Sequence, residues 1–337
     1  MTELVMPLRG AALGSFLALA PMDGVTDAVT RALLTDYNAG PTGVDLCISE
    51  FVRVTQLPAV PKVLLRHVPE LRGDGCTPSG VPVFVQLLGG DPEPLAETAR
   101  RAVAMGARGI DLNFGCPAKT VNRHDGGATL LKYPERLRGI TAAVREALQD
   151  RVPLSVKIRT GWDSPDGVAQ LAQAAEAGGA AFLTIHGRTR MDMYKPPANW
   201  RAIHRAQEAV GIPVVANGDL LDPASAARCV EQSGCGALMV GRGAMAQPNL
   251  FMQLRSGAAP ALESAYLDFL RTYAERLLED EVAESRIIGK LKNWVALGAA
   301  VQPGLKPLFD GFKRAGSLSQ VAEALWRGRP AGDDQAA

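Results

Sequence analysis

The sequence lacks the features that mark disordered, fibrous or membrane-spanning chains. Apolar residues make up 47% of the 337 residues and charged residues 21%, which is the composition of a globular protein. No uncharged apolar run reaches the roughly 18 residues of a membrane span, so no membrane partner is expected. The net charge is only +1, so any surface that binds nucleic acid must be a local one.

Cysteine is also scarce, and its pattern excludes two kinds of small structural module. The cysteines form no Cys-x-x-Cys pair, and their odd number argues against a disulfide framework. We therefore expect a reducing compartment, the cytoplasm. No His, Cys or Asp cluster has the spacing of zinc ligands, so we predict no metal site. The five cysteines are Cys47, Cys76, Cys116, Cys229 and Cys235.

Short apolar runs that end in polar or glycine-containing turns recur eight times, separated by amphipathic stretches. Their continuous hydrophobicity is typical of parallel strands buried on both faces. Eight such units in about 240 residues predict an α/β fold, a (β/α)8 TIM barrel. A doubly wound sheet also alternates strands and helices, but no Gly-x-Gly-x-x-Gly follows the first strand. The predicted strands are Leu17–Met22, Val44–Phe51, Val81–Leu88, Gly109–Phe114, Leu154–Ile158, Phe182–His186, Ile212–Asn217 and Ala237–Gly241.

The pattern changes after Met245, where the chain contains no convincing strand. Helices are predicted over Glu263–Glu281, Arg286–Leu297 and Ser317–Arg327. We expect a barrel domain over residues 1–250, an all-helical domain over 251–330 and a disordered tail over 331–337. The segment Arg286–Arg314 is basic, with a single carboxylate. On composition alone such a run is most often a solvated face.

Barrel enzymes place their chemistry at the C-terminal ends of the strands, so the residues there are the candidates for a site. The seventh and eighth predicted strands end in Asn217-Gly-Asp and Gly241-Arg-Gly. Glycines let backbone N–H groups approach an anion closely, and Arg242 adds a positive charge. These two loops predict a phosphate site, and hence a cofactor that carries a phosphate.

Three other strand ends carry side chains suited to ligand contact. Lys157 ends the fifth strand in apolar surroundings, where an inward amine could form a Schiff base or stabilise a developing negative charge. Gln86 has an amide that both donates and accepts, which suits the edge of a heterocycle. His186 ends the sixth strand, and we expect it to contact a cofactor rather than a metal.

Cys116 lies in the loop after the fourth strand, just before a glycine-rich segment. Structural cysteines are usually buried within an element, so a loop cysteine at the barrel mouth indicates a reactive residue. On this chemistry the roles of nucleophile and proton donor both remain open, because no adjacent base is identifiable.

Taken together, these segments resemble the tRNA-dihydrouridine synthases over residues 17–320. The segments Asp45–Val54 and Asp111–Val121 are similar to the subfamily, DusC, that modifies position 16 of the tRNA D loop. That subfamily has Asn-Gly-Glu where this chain has Asn217-Gly-Asp, so the side chain of Asp219 is one methylene shorter. The motifs that carry the resemblance are Ala20-Pro-Met-Asp-Gly-Val-Thr-Asp27, Asp111-Leu-Asn-Phe-Gly-Cys-Pro117, Lys157-Ile-Arg, His186-Gly-Arg-Thr189, Asn217-Gly-Asp and Met239-Val-Gly-Arg-Gly243.

The resemblance implies an FMN-binding barrel followed by a helical domain that binds tRNA through the basic segment. NADPH would reduce FMN, and the C5=C6 bond of U16 would be reduced to 5,6-dihydrouridine with Cys116 as proton donor. A monomer without a protein partner is expected. The cofactor residues implied are Pro21, Met22, Asp23, Gln86, Lys157, His186, Asn217, Gly218, Asp219, Gly241 and Arg242, and the substrate or tRNA residues are Arg53, Asn113, Tyr194, Lys290, Lys292 and Lys313.

Three other functions account for part of the sequence. A flavoprotein that reduces a free pyrimidine, similar to the dihydroorotate dehydrogenases, does not require a basic helical domain. A Schiff-base aldolase that uses Lys157 would contain no flavin and would be colourless. A non-catalytic RNA-binding protein would keep the basic segment without needing both Cys116 and the phosphate loops.

Overall fold

The structure is a computed structural model that describes residues 13–122 and 125–326. The chain divides into two compact units, of which the first runs to Ala244 and also includes Asn249–Ala259. The second comprises Met245–Pro248 and the residues from Pro260 onward. The boundary expected at 250/251 falls within Asn249–Ala259, which Arg255 ties to the barrel by an ion pair with Asp45. The tail expected over 331–337 lies outside the described residues.

The first unit is built on strands that pair with one another only in parallel. The sheet closes on itself because β1 pairs with β9 on one side and with β2 on the other. Both β2 and β3 pair with β4, so together they fill one of eight places in the barrel. The strands are β1 (Phe16–Leu19), β2 (Leu46–Ile48), β3 (Val52–Arg53), β4 (Val83–Leu88), β5 (Ile110–Asn113), β6 (Leu154–Gly161), β7 (Phe182–Thr189), β8 (Val214–Asn217) and β9 (Ala237–Val240).

This topology confirms the predicted barrel and corrects two details of it. The predicted strand Val44–Phe51 is interrupted at Ser49, whose hydroxyl accepts the Gln86 N–H at 3.0 Å. A side chain thereby takes the place of a main-chain partner, and the ladder breaks there. The fifth and sixth predicted strands are longer than expected, because β6 and β7 continue their pairing to Gly161 and Thr189.

Helices connect the strands, and several begin at the signals that predicted them. Asp91 and Asp222 cap helices whose first residue is proline, and Asp222 forms a reciprocal capping box with Ser225. The helices from β1 to the end of the first unit are α1 (Ala28–Tyr37), α2 (Pro61–His67), α3 (Pro92–Ala104), α4 (Lys119–Asn122), α5 (Pro134–Leu148), α6 (Val168–Ala177), α7 (Trp200–Glu208), α8 (Pro223–Ser233), α9 (Arg242–Ala246) and α10 (Leu250–Ser256).

An apolar plug fills the N-terminal half of the barrel. The rings of Phe16 and Phe84 each lie against Phe182, with centroid distances of 6.4 and 6.1 Å. Successive residues of a strand face opposite sides of the sheet, so Gln86 and His186 follow Phe84 and Phe182 on the inward side. The plug thus closes one end of the barrel and leaves the polar residues at the other.

The second unit is helical and has its own core. Its helices are α11 (Glu263–Glu279), α12 (Glu284–Val301), α13 (Lys306–Phe312) and α14 (Leu318–Trp326). Trp294 of α12 packs against Phe269 and Tyr273 of α11, with ring centroids 5.0 and 5.6 Å apart. In the part of the chain that the structure describes, no helix is long and apolar enough to cross a membrane.

Candidate active site

A cavity of about 850 Å³ opens at the C-terminal ends of the strands. It brings together all fifteen barrel residues that the sequence proposes for cofactor, substrate or chemistry, because a closed parallel barrel gathers its strand ends at one mouth. The other three proposed residues lie in the second unit. The fifteen are Pro21, Met22, Asp23, Arg53, Gln86, Asn113, Cys116, Lys157, His186, Tyr194, Asn217, Gly218, Asp219, Gly241 and Arg242.

One corner of the cavity is shaped by glycines that leave no space for a side chain. Gly218 has a φ of +116°, and a Cβ there would stand 2.8 Å from Cδ2 of His186. A Cβ at Gly241 would lie 3.3 Å from Sδ of Met22. The backbone is therefore exposed to the cavity at the ends of both β8 and β9, as a phosphate site requires.

Asp219 faces protein donors in this corner. Its Oδ2 accepts from Nη2 of Arg188 at 2.5 Å and from the Ala198 N–H at 2.8 Å. Its Oδ1 accepts from Nη2 of Arg242 at 3.1 Å. The carboxylate thus orients Arg242, and the guanidinium supplies the positive charge that the corner presents.

Lys157 supplies a second cation to the cavity. Its Nζ donates to Oδ1 of Asn217 at 3.3 Å, and Nδ2 of Asn217 donates to the Met239 carbonyl at 2.8 Å. Burial, followed by the nearby charge of Arg159, lowers the pKa of Lys157 to about 8. That pKa still leaves the amine protonated at neutral pH, so it acts as a hydrogen-bond donor and a positive charge.

A chain of directed hydrogen bonds runs beneath the cavity. Nε2 of Gln86 donates to Asp111 at 2.7 Å, and Oε1 of Gln86 accepts from Nδ2 of Asn113 at 2.9 Å. Oδ1 of Asn113 then accepts the N–H groups of Gly115 and Cys116 at 3.0 and 2.9 Å. Because a carboxylate only accepts and a backbone N–H only donates, both ends of the chain fix the same orientation of the two amides.

This chain holds the loop that carries Cys116. The cysteine is half-buried at the cavity wall, and its carbonyl accepts the Ala128 N–H at 3.0 Å. Burial raises the pKa of the Cys116 thiol above its usual range. The residue is therefore a thiol at neutral pH, which suits a proton donor better than a nucleophile.

Arg159 joins the Cys116 loop to the loop after β7. Its Nε donates to the Gly115 carbonyl at 2.9 Å, and its Nη1 donates to the carbonyls of Thr189 and Met193 at 3.0 and 2.7 Å. The guanidinium lies 5.3 Å from the centre of the Tyr194 ring, which is 52% exposed. Arg159 thus holds the accessible ring of Tyr194 at the mouth of the cavity.

The three lysines proposed in the second unit do not converge. Nζ of Lys292 donates to the Ala315 carbonyl at 2.7 Å, and Nζ of Lys313 pairs with Asp310 at 2.6 Å. Lys290 lies two residues before Lys292 on α12, which separates them by roughly 200° around the helix axis. Lys290 and Lys292 therefore lie on different sides of α12.

The cavity residues fit a cofactor that joins a phosphate to a flat heterocycle. The glycine corner and Arg242 suit the phosphate, while Lys157, Gln86 and His186 present polar groups further along the wall. The fit rests on the donor chemistry and on the two positions where a Cβ would obstruct the cavity.

The family comparison agrees with this chemistry. The profile described as "Dihydrouridine synthase (Dus)" matches residues 18–296. The chain belongs to the dihydrouridine synthase family. Proteins named tRNA-dihydrouridine(16) synthase are similar to it over nearly their whole length. The protein of that name from Haemophilus influenzae is 45% identical over 91% of this chain and 96% of its own, and that from Pasteurella multocida is 43% identical over 88% and 93%.

Two solved structures share the barrel with this chain at low identity. Histamine dehydrogenase from Rhizobium sp. 4-9 superposes with a TM-score of 0.53 at 16% identity, over 72% of this chain and 45% of that one. A variant of NCR from Zymomonas mobilis gives a TM-score of 0.51 at 17% identity, over 77% and 94%. At these identities the likeness shows the fold alone.

Three side chains that organise the cavity had no role predicted for them from the sequence. They are Asp111 beneath Gln86, Arg159 between the two loops, and Arg188 beside His186. Each of the three residues has no more than 2% of its surface exposed. Two of them could have been found from the alternation of side chains along a strand. Arg159 and Arg188 stand two residues after Lys157 and His186, so they lie on the same inward side of strands that proved longer than predicted.

Proposed function

We propose that this protein is a flavin-dependent tRNA-dihydrouridine synthase that reduces U16 of the tRNA D loop to 5,6-dihydrouridine. One observation carries the proposal. Cys116, Lys157 and a glycine-lined corner beside Arg242 share one cavity, in a chain similar to proteins named tRNA-dihydrouridine(16) synthase. The reaction adds two hydrogens across C5=C6, and NADPH is the proposed source of the electrons.

FMN is the proposed resident cofactor, and when bound it supplies the hydride for C6. We assign its phosphate to Asn217, Gly218, Gly241 and Arg242, with Asp219 holding Arg242 in place. Pro21, Met22, Asp23, Gln86, Lys157 and His186 are assigned to the rest of it. Lys157 provides the positive charge that stabilises a negative charge on the group it contacts.

Cys116 is the proposed proton donor to C5. A thiol whose pKa is raised by burial holds its proton at neutral pH and can deliver it within the cavity. The Gln86 and Asn113 amides fix the Cys116 backbone, which places this residue at the cavity wall. We expect activity to persist to a higher pH than an unperturbed thiol, with a pKa of about 8.5, would permit.

A uridine in folded tRNA has to leave its stack to enter this cavity. Asn113 is the proposed contact to the uracil, and Arg53 and the exposed ring of Tyr194 stand at the mouth for the neighbouring nucleotides. Lys290, Lys292 and Lys313 are proposed to contact tRNA phosphates from the helical unit. The cysteines of the described chain are all free, which suits a reducing, cytoplasmic compartment.

The first experiment is the visible spectrum of the purified protein, followed by heat release and identification of the chromophore. The proposal expects a flavin spectrum and free FMN. Reconstituted enzyme with NADPH and unmodified tRNA transcript should then yield dihydrouridine by nucleoside mass spectrometry, and a transcript with U16 replaced by C should not. A colourless protein that takes up no FMN, or a flavoprotein that reduces free pyrimidines and leaves tRNA unchanged, would contradict the proposal.

A further inference from the structure

Arg188 lies in β7 at the back of the cavity, where its guanidinium is 1% exposed. Nε donates to the Lys195 carbonyl at 2.6 Å, and Nη2 donates to Asp219 at 2.5 Å. Nη1 lies 3.0 Å from Nε2 of His186. Each of the three guanidinium nitrogens therefore has a protein partner, and one of these partners is a cavity residue with two possible neutral tautomers.

The contact with His186 has only one chemically sound arrangement. A guanidinium donates hydrogen bonds and does not lose its proton in proteins, so it cannot accept one from imidazole. Nε2 of His186 must therefore be the acceptor and carry no proton. In a neutral imidazole the proton is then on Nδ1, which makes no hydrogen bond to the described residues.

The surroundings of His186 also oppose a second proton. Cations face it from three elements: Lys157 and Arg159 of β6, Arg188 of β7, and Arg242 of α9. The Asp219 carboxylate is shared between Arg188 and Arg242, and the other titratable group that faces the imidazole is the Tyr194 ring, with its centroid 6.5 Å away. Burial first, and then these charges, lower the pKa of His186 well below its usual value.

We infer that Arg188 is a positioning residue that holds His186 as the neutral Nδ1–H tautomer, so that His186 serves the cavity as a hydrogen-bond donor. The ligand atom that it contacts must then be an acceptor. This deepens the proposed function, because it assigns a donor to the FMN site. It also leaves Cys116 as the proton donor, since a neutral imidazole is too weak an acid to protonate the substrate.

The direct test is nitrogen NMR of protein labelled with 15N-histidine, measured without FMN from pH 6 to pH 8. The chain has only four histidines, so deletion of one signal in His186→Gln assigns the residue. We expect an Nδ1 that is protonated, an Nε2 that is not, and chemical shifts that do not change with pH. A proton on Nε2, or titration to the imidazolium within this range, would overturn the inference.

Arg188→Met then tests whether the arginine is the cause. Without the guanidinium we expect His186 to show a mixture of tautomers or to titrate, and FMN affinity to fall about tenfold, which corresponds to 1.4 kcal/mol. Arg190→Met is the matched control, because Arg190 directly follows the same strand and its guanidinium contacts Met191 and Trp162, and the spectrum of this variant should equal that of wild type. An unchanged Nδ1–H signal in folded Arg188→Met would remove Arg188 from this role.

The wild-type spectrum decides the tautomer even where Arg188→Met fails to fold. Because that spectrum is recorded without FMN, a protein that proves to bind no flavin would refute the proposed function and leave the tautomer assignment intact. Conversely, a flavin-loaded, active enzyme with His186 protonated on Nε2 would refute only the inference about Arg188.

Discussion

The sequence pointed to two functional regions, the strand ends at the mouth of the barrel and the basic segment Arg286–Arg314, yet the structure organises them differently. At the mouth, fifteen proposed residues from eight places in the barrel line one cavity. In the helical unit, Lys292 donates to the Ala315 carbonyl and Lys313 pairs with Asp310. Lys290 and Lys292 lie on different sides of α12. Convergence is thus strong in one unit and weak in the other.

The difference follows from how each architecture uses sequence position. In a parallel barrel every strand ends at the same rim, so the last residues of eight distant segments become neighbours. In a helical unit the angular position around each helix decides which residues share a face, and neighbours in sequence diverge by about 100° per residue. Strand ends therefore predict a site, whereas a run of charge does not predict a surface.

The largest effect expected at the mouth is that of Cys116→Ala. Loss of a general acid typically lowers a rate by about 10²–10⁴-fold, and we expect kcat for tRNA reduction to fall within that range. FMN content and tRNA affinity should remain close to wild type, because the backbone contacts of Cys116 to Asn113 and Ala128 are kept. Dihydrouridine formation in single turnovers, measured by mass spectrometry, checks the rate.

Cys76→Ser is the matched control for this substitution. Cys76 is also half-buried in a loop but lies outside the cavity lining, so its replacement should leave kcat within twofold of wild type. Comparable losses of kcat in both variants would show that a cysteine at the mouth does not differ from any other loop cysteine, and the contrast would fail.

Much of the fold and of the mouth could be predicted because both depend on local patterns. Continuous apolar runs indicated the strands, and the residues that end them proved to line the cavity, from Met22 to Arg242. What the supporting residues Asp111 and Arg188 pair with could not be found in the same way. Their partners, Gln86 and Asp219, are 25 and 31 residues away in sequence, and only the folded register brings them together.

Lys157→Met sharpens the comparison, because it should lower activity and raise stability together. Removing the buried cation should reduce the tRNA reduction rate at least tenfold, since donors aimed at developing charge contribute about 10²–10³-fold in other enzymes. The FMN-free protein should nevertheless become more stable at pH 7 by about 1–2 kcal/mol, because the variant no longer buries the cation whose desolvation lowers the pKa of Lys157, although it also loses the hydrogen bond to Asn217. Urea unfolding of the two proteins measures the difference.

The pH dependence of that difference identifies its cause. The pKa of Lys157 is about 8 in the folded protein and about 10.4 unfolded, so between these values the unfolded chain binds the extra proton. The wild-type free energy of unfolding therefore rises, relative to the variant, from pH 8 to pH 10.4, and the gain from Lys157→Met shrinks over this window. A variant that is less stable than wild type at pH 7 would contradict this account.

The smallest effects are expected on α12, where Lys290→Met and Lys292→Met form a matched pair two residues apart. Lys290→Met should weaken tRNA binding about threefold to fivefold and reduce the slope of log affinity against log salt by about 1, as loss of one phosphate contact does. Lys292→Met should change affinity less, but lower the free energy of unfolding by about 0.5–1.5 kcal/mol, because the Ala315 carbonyl loses its donor. Filter binding across a salt series and urea unfolding separate the two. If both variants lose affinity equally and neither loses stability, the charge run acts as one surface after all, and the contrast between the barrel mouth and α12 fails.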